Sequence, residues 1–190
     1  MNKTRMEAFS DGVIAILITI MVLELKVPHD ADVGALRPLV PILLTYVLSF
    51  VYLGIYWVNH HHLLHTVHKV SGGILWSNIH LLFWLSLVPF TTGWMGENHL
   101  APLPTALYGV NLLMAAVSYT ILTYCIIATH GRDSTLAAAV GRDVKGKISL
   151  VLYAIAIPLA YVNTWFSVVL YVAVALTWFV PDRRIESRIE

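Results

Sequence analysis

Charged and hydroxyl residues lie close together near the start of the chain. Arg5, Ser10 and Asp11 precede a twelve-residue apolar stretch in which Thr19 is the only polar side chain. Charges at the edge of a bilayer are costly unless they are paired, so they mark a site. Arg5 and Asp11 are six residues apart and fall on different faces of a helix, while Glu7 and Asp11, at i and i+4, repel each other. Asp11 therefore needs a partner from another helix or another part of an assembly.

The second apolar segment carries aromatic and histidine residues at helical spacing. Trp57, His61 and His65 lie at i, i+4 and i+8, so they share one stripe of a helix that can face Asp11. His61 and His65 also have the spacing of a two-ligand metal site, but no glutamate follows the first histidine and no cysteine is near. We therefore expect no metal here and favour protonation of this cluster at about pH 6 over metal chemistry.

One stripe of the first apolar segment has the composition of either a packing face or a pore wall. Four residues share it, at i, i+3, i+4 and i+7: Ile16, Thr19, Ile20 and Leu23. Such a stripe can pack against neighbouring helices or lipid. Alternatively, several copies of the helix can meet around an axis, where rings of apolar side chains gate an ion path and a hydroxyl ring replaces hydration water. Glu24, one residue further on, is either an ordinary interfacial charge or a carboxylate that concentrates cations at the mouth.

The composition is that of an integral membrane protein. Apolar residues make up 58% of the 190-residue chain, charged residues only 12%, and the mean hydropathy is +0.73. Soluble domains carry about 25% charged residues. The sequence shows neither a nucleophile paired with a base nor a complete metal site, so we expect no enzyme and no cofactor. From the apolar composition we expect the lipid bilayer and no nucleic acid as a partner, and the net charge of +1 indicates no partner by itself.

Proline positions divide the chain into six apolar segments. Prolines are tolerated at helix starts and stop helices just beyond their ends, whereas Pro89 and Pro158 lie inside segments and predict kinks. We predict an all-α fold in which residues 1–190 form a single domain with six transmembrane helices. The predicted spans cover about residues 4–27, 36–66, 71–95, 103–129, 146–162 and 165–180.

The distribution of basic residues predicts the orientation of the chain. With six spans, both termini and two of the loops share one side of the membrane, and only Lys26 and Arg37 lie on the other. Basic residues concentrate on the cytoplasmic side, so we expect cytoplasmic N- and C-termini. The ten basic residues on that side are Lys3, Arg5, Lys69, Arg132, Arg142, Lys145, Lys147, Arg183, Arg184 and Arg188.

The motifs of the first two segments resemble a known family. The pattern Arg-x-x-x-Phe-Ser-Asp-Gly at residues 5–12, continued by residues 16–20 and 23–28, is similar to the first helix of the prokaryotic branch of the transmembrane protein 175 family, the endolysosomal-type potassium channels. Trp57 and His61 match the tryptophan and histidine of that family's second helix. The resemblance covers the first three spans well, whereas the last three match only in hydropathy and order.

The resemblance implies a homotetramer around a central pore lined by the first helix, with K⁺ as the permeant ion, in a prokaryotic plasma membrane. Ile16 matches the innermost constriction, Thr19 a hydroxyl layer, and Ile20 and Leu23 the outer layers. Glu24 would lie at the outer mouth. The alternative function is a secondary transporter for small cations, which would be expected to show broken helices or a charge at mid-membrane.

The resemblance also implies a structural polar network behind the pore helix. Its members are Arg5, Ser10, Asp11, Trp57 and His61.

Other positions are similar to the family without a clear role, or differ from it. Asn78 and residues 85–90 in the third span are similar, but no role follows for them. Ala15 stands where eukaryotic members carry a serine, so selectivity attributed to that serine is not carried over. The chain also has one six-span unit where the eukaryotic chain has two.

Overall fold

The computed structural model describes residues 2–131, 134–141 and 143–179, and every regular element in these ranges is helical. The all-α prediction is therefore confirmed for this part of the chain. The α-helices are α1 (Lys3–Met21), α2 (Val40–His65), α3 (Gly72–Ser86), α4 (Val88–Glu97), α5 (Pro102–His130), α6 (Thr135–Val140), α7 (Val144–Leu159) and α8 (Thr164–Phe179). Two 3-10 helices cover Val22–Glu24 and Val33–Leu39.

In the part of the chain that the structure describes, four helical stretches are long and apolar enough to cross a membrane. They are Lys3–Glu24, Val33–His65, Gly72–Glu97 and Pro102–His130. The apolar helix α8 and its neighbour α7 have 16 residues each, fewer than the ~20 of a typical span. The six-span count therefore stays a prediction. The end of the sixth predicted span, at residue 180, and five of the basic residues used for orientation lie outside the described residues: Arg132, Arg142, Arg183, Arg184 and Arg188.

The ends of two predicted spans differ from the helices observed. α1 ends at Met21 and continues only as one 3-10 turn to Glu24, after which Leu25 is extended; the prediction placed the end of the span at residue 27. The third predicted span is divided at Leu87, and Pro89 lies in the first turn of α4, where a missing N–H costs nothing.

The second proline expected to cause a kink lies at a helix end instead. Pro158 is the penultimate residue of α7, which ends at Leu159. A proline in the last turn has almost no helix beyond it to bend, so it accompanies the end of α7.

The apolar core has two parts, and α1 belongs to one of them. The first cluster joins Met6, Ile14 and Leu17 of α1 to buried residues of α2, α3 and α5. The second lies around Tyr108 and Tyr171 and joins α2, α5, α7 and α8. α1 packs on α2, α3 and α4, so it lies at the edge of the subunit with one face covered.

Candidate functional site

The two faces of α1 differ sharply in burial. The buried residues recur every three or four positions, as expected for one face of an α-helix; they are Met6, Ser10, Ile14, Leu17 and Met21. The predicted pore stripe lies on the other face. Ile16 is 59% exposed, Ile20 40% and Leu23 76%, and Thr19 is exposed as well. Within the described residues, all four side chains are therefore left wholly or partly uncovered.

The Thr19 hydroxyl is held by its own helix. Its Oγ1 donates a hydrogen bond to the Ile16 carbonyl oxygen at 2.8 Å. A hydroxyl has one hydrogen to donate and two lone pairs to offer. Because the hydrogen is used by the backbone, the lone pairs of Thr19 remain available for a cation.

The C-terminal end of α1 rests on α4. The Glu24 carboxylate lies over Gly93: a Cβ atom there would be 3.0 Å from Oε2, so a larger residue would push the Glu24 side chain back by a few tenths of an ångström. Lys26 pairs with Glu97, with Nζ 2.6 Å from Oε1. The hydrogen bond to Glu97, and then the attraction of its charge, raise the pKa of Lys26. The charged partner of Lys26 is therefore Glu97, and Glu24 packs separately against the α4 backbone.

The structure joins two members of the predicted polar network directly. Trp57 Nε1 donates to Asp11 Oδ1 at 3.0 Å, linking α2 to α1. The His61 ring lies beside the Trp57 ring, with centroids 6.4 Å apart, but forms no hydrogen bond with Asp11. Arg5 is exposed, and its guanidinium makes no ion pair or hydrogen bond within the described residues. Among the described residues of one subunit, Asp11 therefore has its tryptophan partner and no counter-charge.

The histidines at the end of α2 pack on one another. The rings of His61 and His65 lie 4.6 Å apart, and Lys3 Nζ donates to the His65 carbonyl oxygen at 3.0 Å. This contact places the beginning of α1 beside the end of α2, where a cation stabilises free carbonyls. In the part of the chain that the structure describes, no group of three or more His, Cys, Asp or Glu side chains is arranged to hold a metal ion.

A second, fully buried network of hydrogen-bonded side chains joins three helices. Asn78 Nδ2 of α3 donates to Ser10 Oγ of α1 at 2.9 Å, and Asn78 Oδ1 lies 2.7 Å from His60 Nε2 of α2. Ser10 in turn donates to the Met6 carbonyl oxygen. All three side chains are at most 2% exposed. Ser10 thus belongs to a network that holds α1 against α2 and α3.

His60 and Asn78 were not assigned to any network by their sequence pattern. The stripe containing Trp57 and His61 pointed to one face of α2, whereas His60 lies one residue, or about 100°, further round. A signal was present, because an amide and a histidine inside apolar segments need partners. Sequence spacing alone does not show that these partners are each other and Ser10.

The comparisons with known sequences agree on one group of proteins. The family profile described as endosomal/lysosomal potassium channel TMEM175 matches residues 5–89. A protein of Chryseobacterium sp. (strain P1-3) named as a potassium channel is 50% identical over 190 residues, covering 100% of this chain and 99% of that protein. The human protein named endosomal/lysosomal proton channel TMEM175 is 37% identical over 83 residues, which are 37% of this chain and 16% of the human one.

A solved structure has the same fold. The crystal structure of a lysosomal potassium-selective channel TMEM175 homologue from Chamaesiphon minutus matches with a TM-score of 0.81 and 29% identity, over 93% of this chain and 95% of that one. The helical fold and these relatives define the class of protein: it is a membrane ion channel and not an enzyme. Within that class, the chain belongs to the TMEM175 family of potassium channels.

Proposed function

We propose that this chain is the subunit of a homotetrameric K⁺ channel whose central pore is lined by α1. The observation that carries the proposal is the uncovered stripe on α1 in a chain that belongs to a potassium-channel family. Ile16, Thr19, Ile20 and Leu23 are exposed while the opposite face of the same helix is packed into the core. A rotationally symmetric assembly repeats such a stripe as rings around its axis.

The stripe supplies two kinds of layer. Ile16 forms the innermost constriction, and rings of apolar side chains at Ile20 and Leu23 form further layers, which oppose hydrated ions by dewetting. The Thr19 ring lies between Ile16 and Ile20 and offers hydroxyl lone pairs, since its hydrogen is bonded to the Ile16 carbonyl. Passive flux through such a path needs neither a cofactor nor a coupled ion.

The groups flanking the stripe serve the pore in different ways. Glu24 supplies a negative charge at the outer mouth and attracts cations. Arg5, Ser10, Asp11, Trp57 and His61 support the pore helix from behind. Two contacts favour this role: Trp57 bonds Asp11, and Ser10 bonds Asn78. The free Arg5 guanidinium is then the natural counter-charge for Asp11 of a neighbouring subunit.

The topology proposed for the assembly has six spans per subunit in the prokaryotic plasma membrane. Both termini face the cytoplasm. Its support is the concentration of basic residues on one side of the predicted topology. The short helices α7 and α8 form the fifth and sixth spans.

Flux measurements on purified protein in liposomes test the function. Liposomes loaded with K⁺ and diluted into Na⁺ should lose K⁺ passively and develop an inside-negative potential, which a potential-sensitive dye reports. Protein-free liposomes are the control, and a K⁺ ionophore defines complete flux. Flux that requires a second ion gradient would identify a coupled transporter and would refute the proposal of a channel.

A second arm distinguishes K⁺ from H⁺ as the permeant ion, since vertebrate relatives are named proton channels. With a pH-sensitive dye trapped inside, a K⁺ channel acidifies the lumen only after a protonophore is added. Acidification that needs an added K⁺ ionophore but no protonophore would show that protons, and not K⁺, are the permeant ion.

A further inference from the structure

A cavity of about 80 Å³ lies inside the subunit, away from the exposed face of α1. It is a partly open cavity lined by residues of α2, α5, α7 and α8, including Asn59 and Leu63 from the last turns of α2. The end of α2 is beside the start of α1, because Lys3 bonds the His65 carbonyl. The cavity is therefore nearest the end of the bundle at which α1 begins.

Two polar atoms in the cavity lining, Asn59 Oδ1 and the Tyr56 hydroxyl oxygen, have no hydrogen-bond partner within the described residues. Asn59 is only 7% exposed, and its Nδ2 donates to the Ile55 carbonyl oxygen, but its Oδ1 receives no hydrogen bond within the described residues. The Tyr56 hydroxyl is also without a hydrogen-bond partner there. Asn59 Oδ1 therefore offers an acceptor to a ligand in the cavity.

A carboxylate stands at the start of α7, in the same lining. Asp143 adopts a left-handed backbone conformation (φ +37°, ψ +54°) and accepts a hydrogen bond from the Gly146 N–H at 3.1 Å. This helix cap holds its side chain against the cavity. Among the described lining residues, Asp143 is the only one with a formal charge.

The remaining walls are rich in aromatic rings. Tyr52 and Tyr153 are hydrogen-bonded to each other at 3.1 Å, and Tyr119 contributes a ring from α5. The Trp178 ring already makes a cation–π contact, since Lys145 Nζ lies 4.6 Å from its centroid. Aromatic faces combined with a carboxylate attract organic cations through the ring quadrupole.

We propose that this cavity binds a small organic cation of the alkylammonium class, with Asp143 and Asn59 Oδ1 as its polar partners and the aromatic rings as its walls. A cavity needs about 10–15 Å³ to hold one water molecule, so 80 Å³ has room for about five to eight water molecules. A trimethylammonium group with its attached methylene has five heavy atoms, so its size fits. The site is separate from the ion path proposed for α1.

Choline and its neutral carbon analogue, 3,3-dimethylbutan-1-ol, provide a matched pair of probes. Titration calorimetry on the detergent-solubilised full chain should show saturable binding of choline, and affinity for the neutral analogue should be at least about tenfold weaker because it lacks the charge. Equal affinity for the two probes, or no binding of choline at millimolar concentration, would overturn the proposal.

Two aspartate variants locate the binding site. Asp143→Asn keeps a residue type that caps helices and tolerates the left-handed conformation, and it should weaken choline binding about tenfold. Asp32→Asn is the matched control, because Asp32 caps the helix Val33–Leu39 in the same way, by accepting from Ala35 N. Unchanged choline affinity in Asp143→Asn would place the cation elsewhere.

A cavity-filling variant covers the case in which Asp143→Asn does not fold. Ala116 of α5 lines the cavity, and Ala116→Leu should abolish choline binding by occupying the space. Choline binding that persists in Ala116→Leu would also refute the site.

Discussion

Asn78 is the residue whose loss should most directly loosen α1 from the rest of the subunit. Its amide links Ser10 at 2.9 Å and His60 at 2.7 Å, so Asn78→Leu removes two hydrogen bonds between helices while keeping similar volume. Such bonds within membranes average about 0.6 kcal/mol each, or about 1.2 kcal/mol together. His60, 1% exposed, also loses its partner, which costs about 1–3 kcal/mol. The expected destabilisation is about 2–4 kcal/mol.

Reversible unfolding in mixed detergent micelles, followed by circular dichroism, measures this free energy. Ser77→Ala is the matched control: Ser77 is buried on the same helix, but its hydroxyl bonds only the Ile74 carbonyl of α3. We expect the control to lose less than about 1 kcal/mol. Equal stability of Asn78→Leu and Ser77→Ala would refute the reasoning, because it would mean that the three-helix contact contributes nothing.

A double-mutant cycle tests the Ser10 link by itself. Ser10→Ala removes the acceptor of the Asn78 amide and leaves the His60 contact in place. Because the same bond is lost in both single variants, the double variant with Asn78→Leu should be destabilised by about 0.6 kcal/mol less than the sum. Strict additivity would show that Ser10 and Asn78 are not coupled.

The other predictions concern the exposed face and the charges of α1. Ile16→Ala should wet the narrowest apolar ring and raise single-channel cation conductance; unchanged conductance from a folded tetramer would remove Ile16 from the pore. Thr19→Val should lower the K⁺/Na⁺ permeability ratio measured from reversal potentials, whereas Thr177→Val, which removes a hydroxyl bonded in the same way on α8, should not. Asp11→Ala should lower unfolding stability by about 1 kcal/mol through the loss of its Trp57 contact. Arg5→Ala should reduce only the tetramer fraction in size-exclusion chromatography, and a wild-type tetramer fraction would contradict an inter-subunit role for Arg5.

Apolar run lengths were sufficient to predict an all-helical membrane protein, but not where each helix ends. The sequence of residues 22–27 suggested that α1 continues, yet the backbone of Leu25 is in the β region. The contacts at this end of α1, of Glu24 with Gly93 and of Lys26 with Glu97, are tertiary contacts that run length does not show. Pro89 indicated an irregularity close to the break at Leu87, because a proline restricts the backbone of the residue before it. The six-residue helix α6 was not predicted, because the connecting segment carries no amphipathic period long enough to detect.

The sequence predicted one contact of the polar network and missed another for the same geometric reason. Helical spacing shows which side chains share a stripe, and the stripe of Trp57 can face α1, where the structure has a hydrogen bond from Trp57 to Asp11. It does not show how far α2 is rotated about its axis. That rotation also brings the neighbouring position, His60, against Asn78, and it is determined by the packing of the whole core.

The division between α3 and α4 has a mechanical consequence for the C-terminal end of α1. With its amide oriented to satisfy both neighbours, Asn111 donates to the Trp84 carbonyl and accepts from Val88 N–H, so the backbone groups around the break remain bonded. A rotation at Leu87 would therefore move α4 as one rigid helix. Its ten residues span about 15 Å, and a tilt of about 5° moves the far end by about 1.3 Å, nearly the length of a Cα–C bond. Glu24 and Lys26 both contact α4, so a tilt of α4 of this size would also displace the C-terminal end of α1.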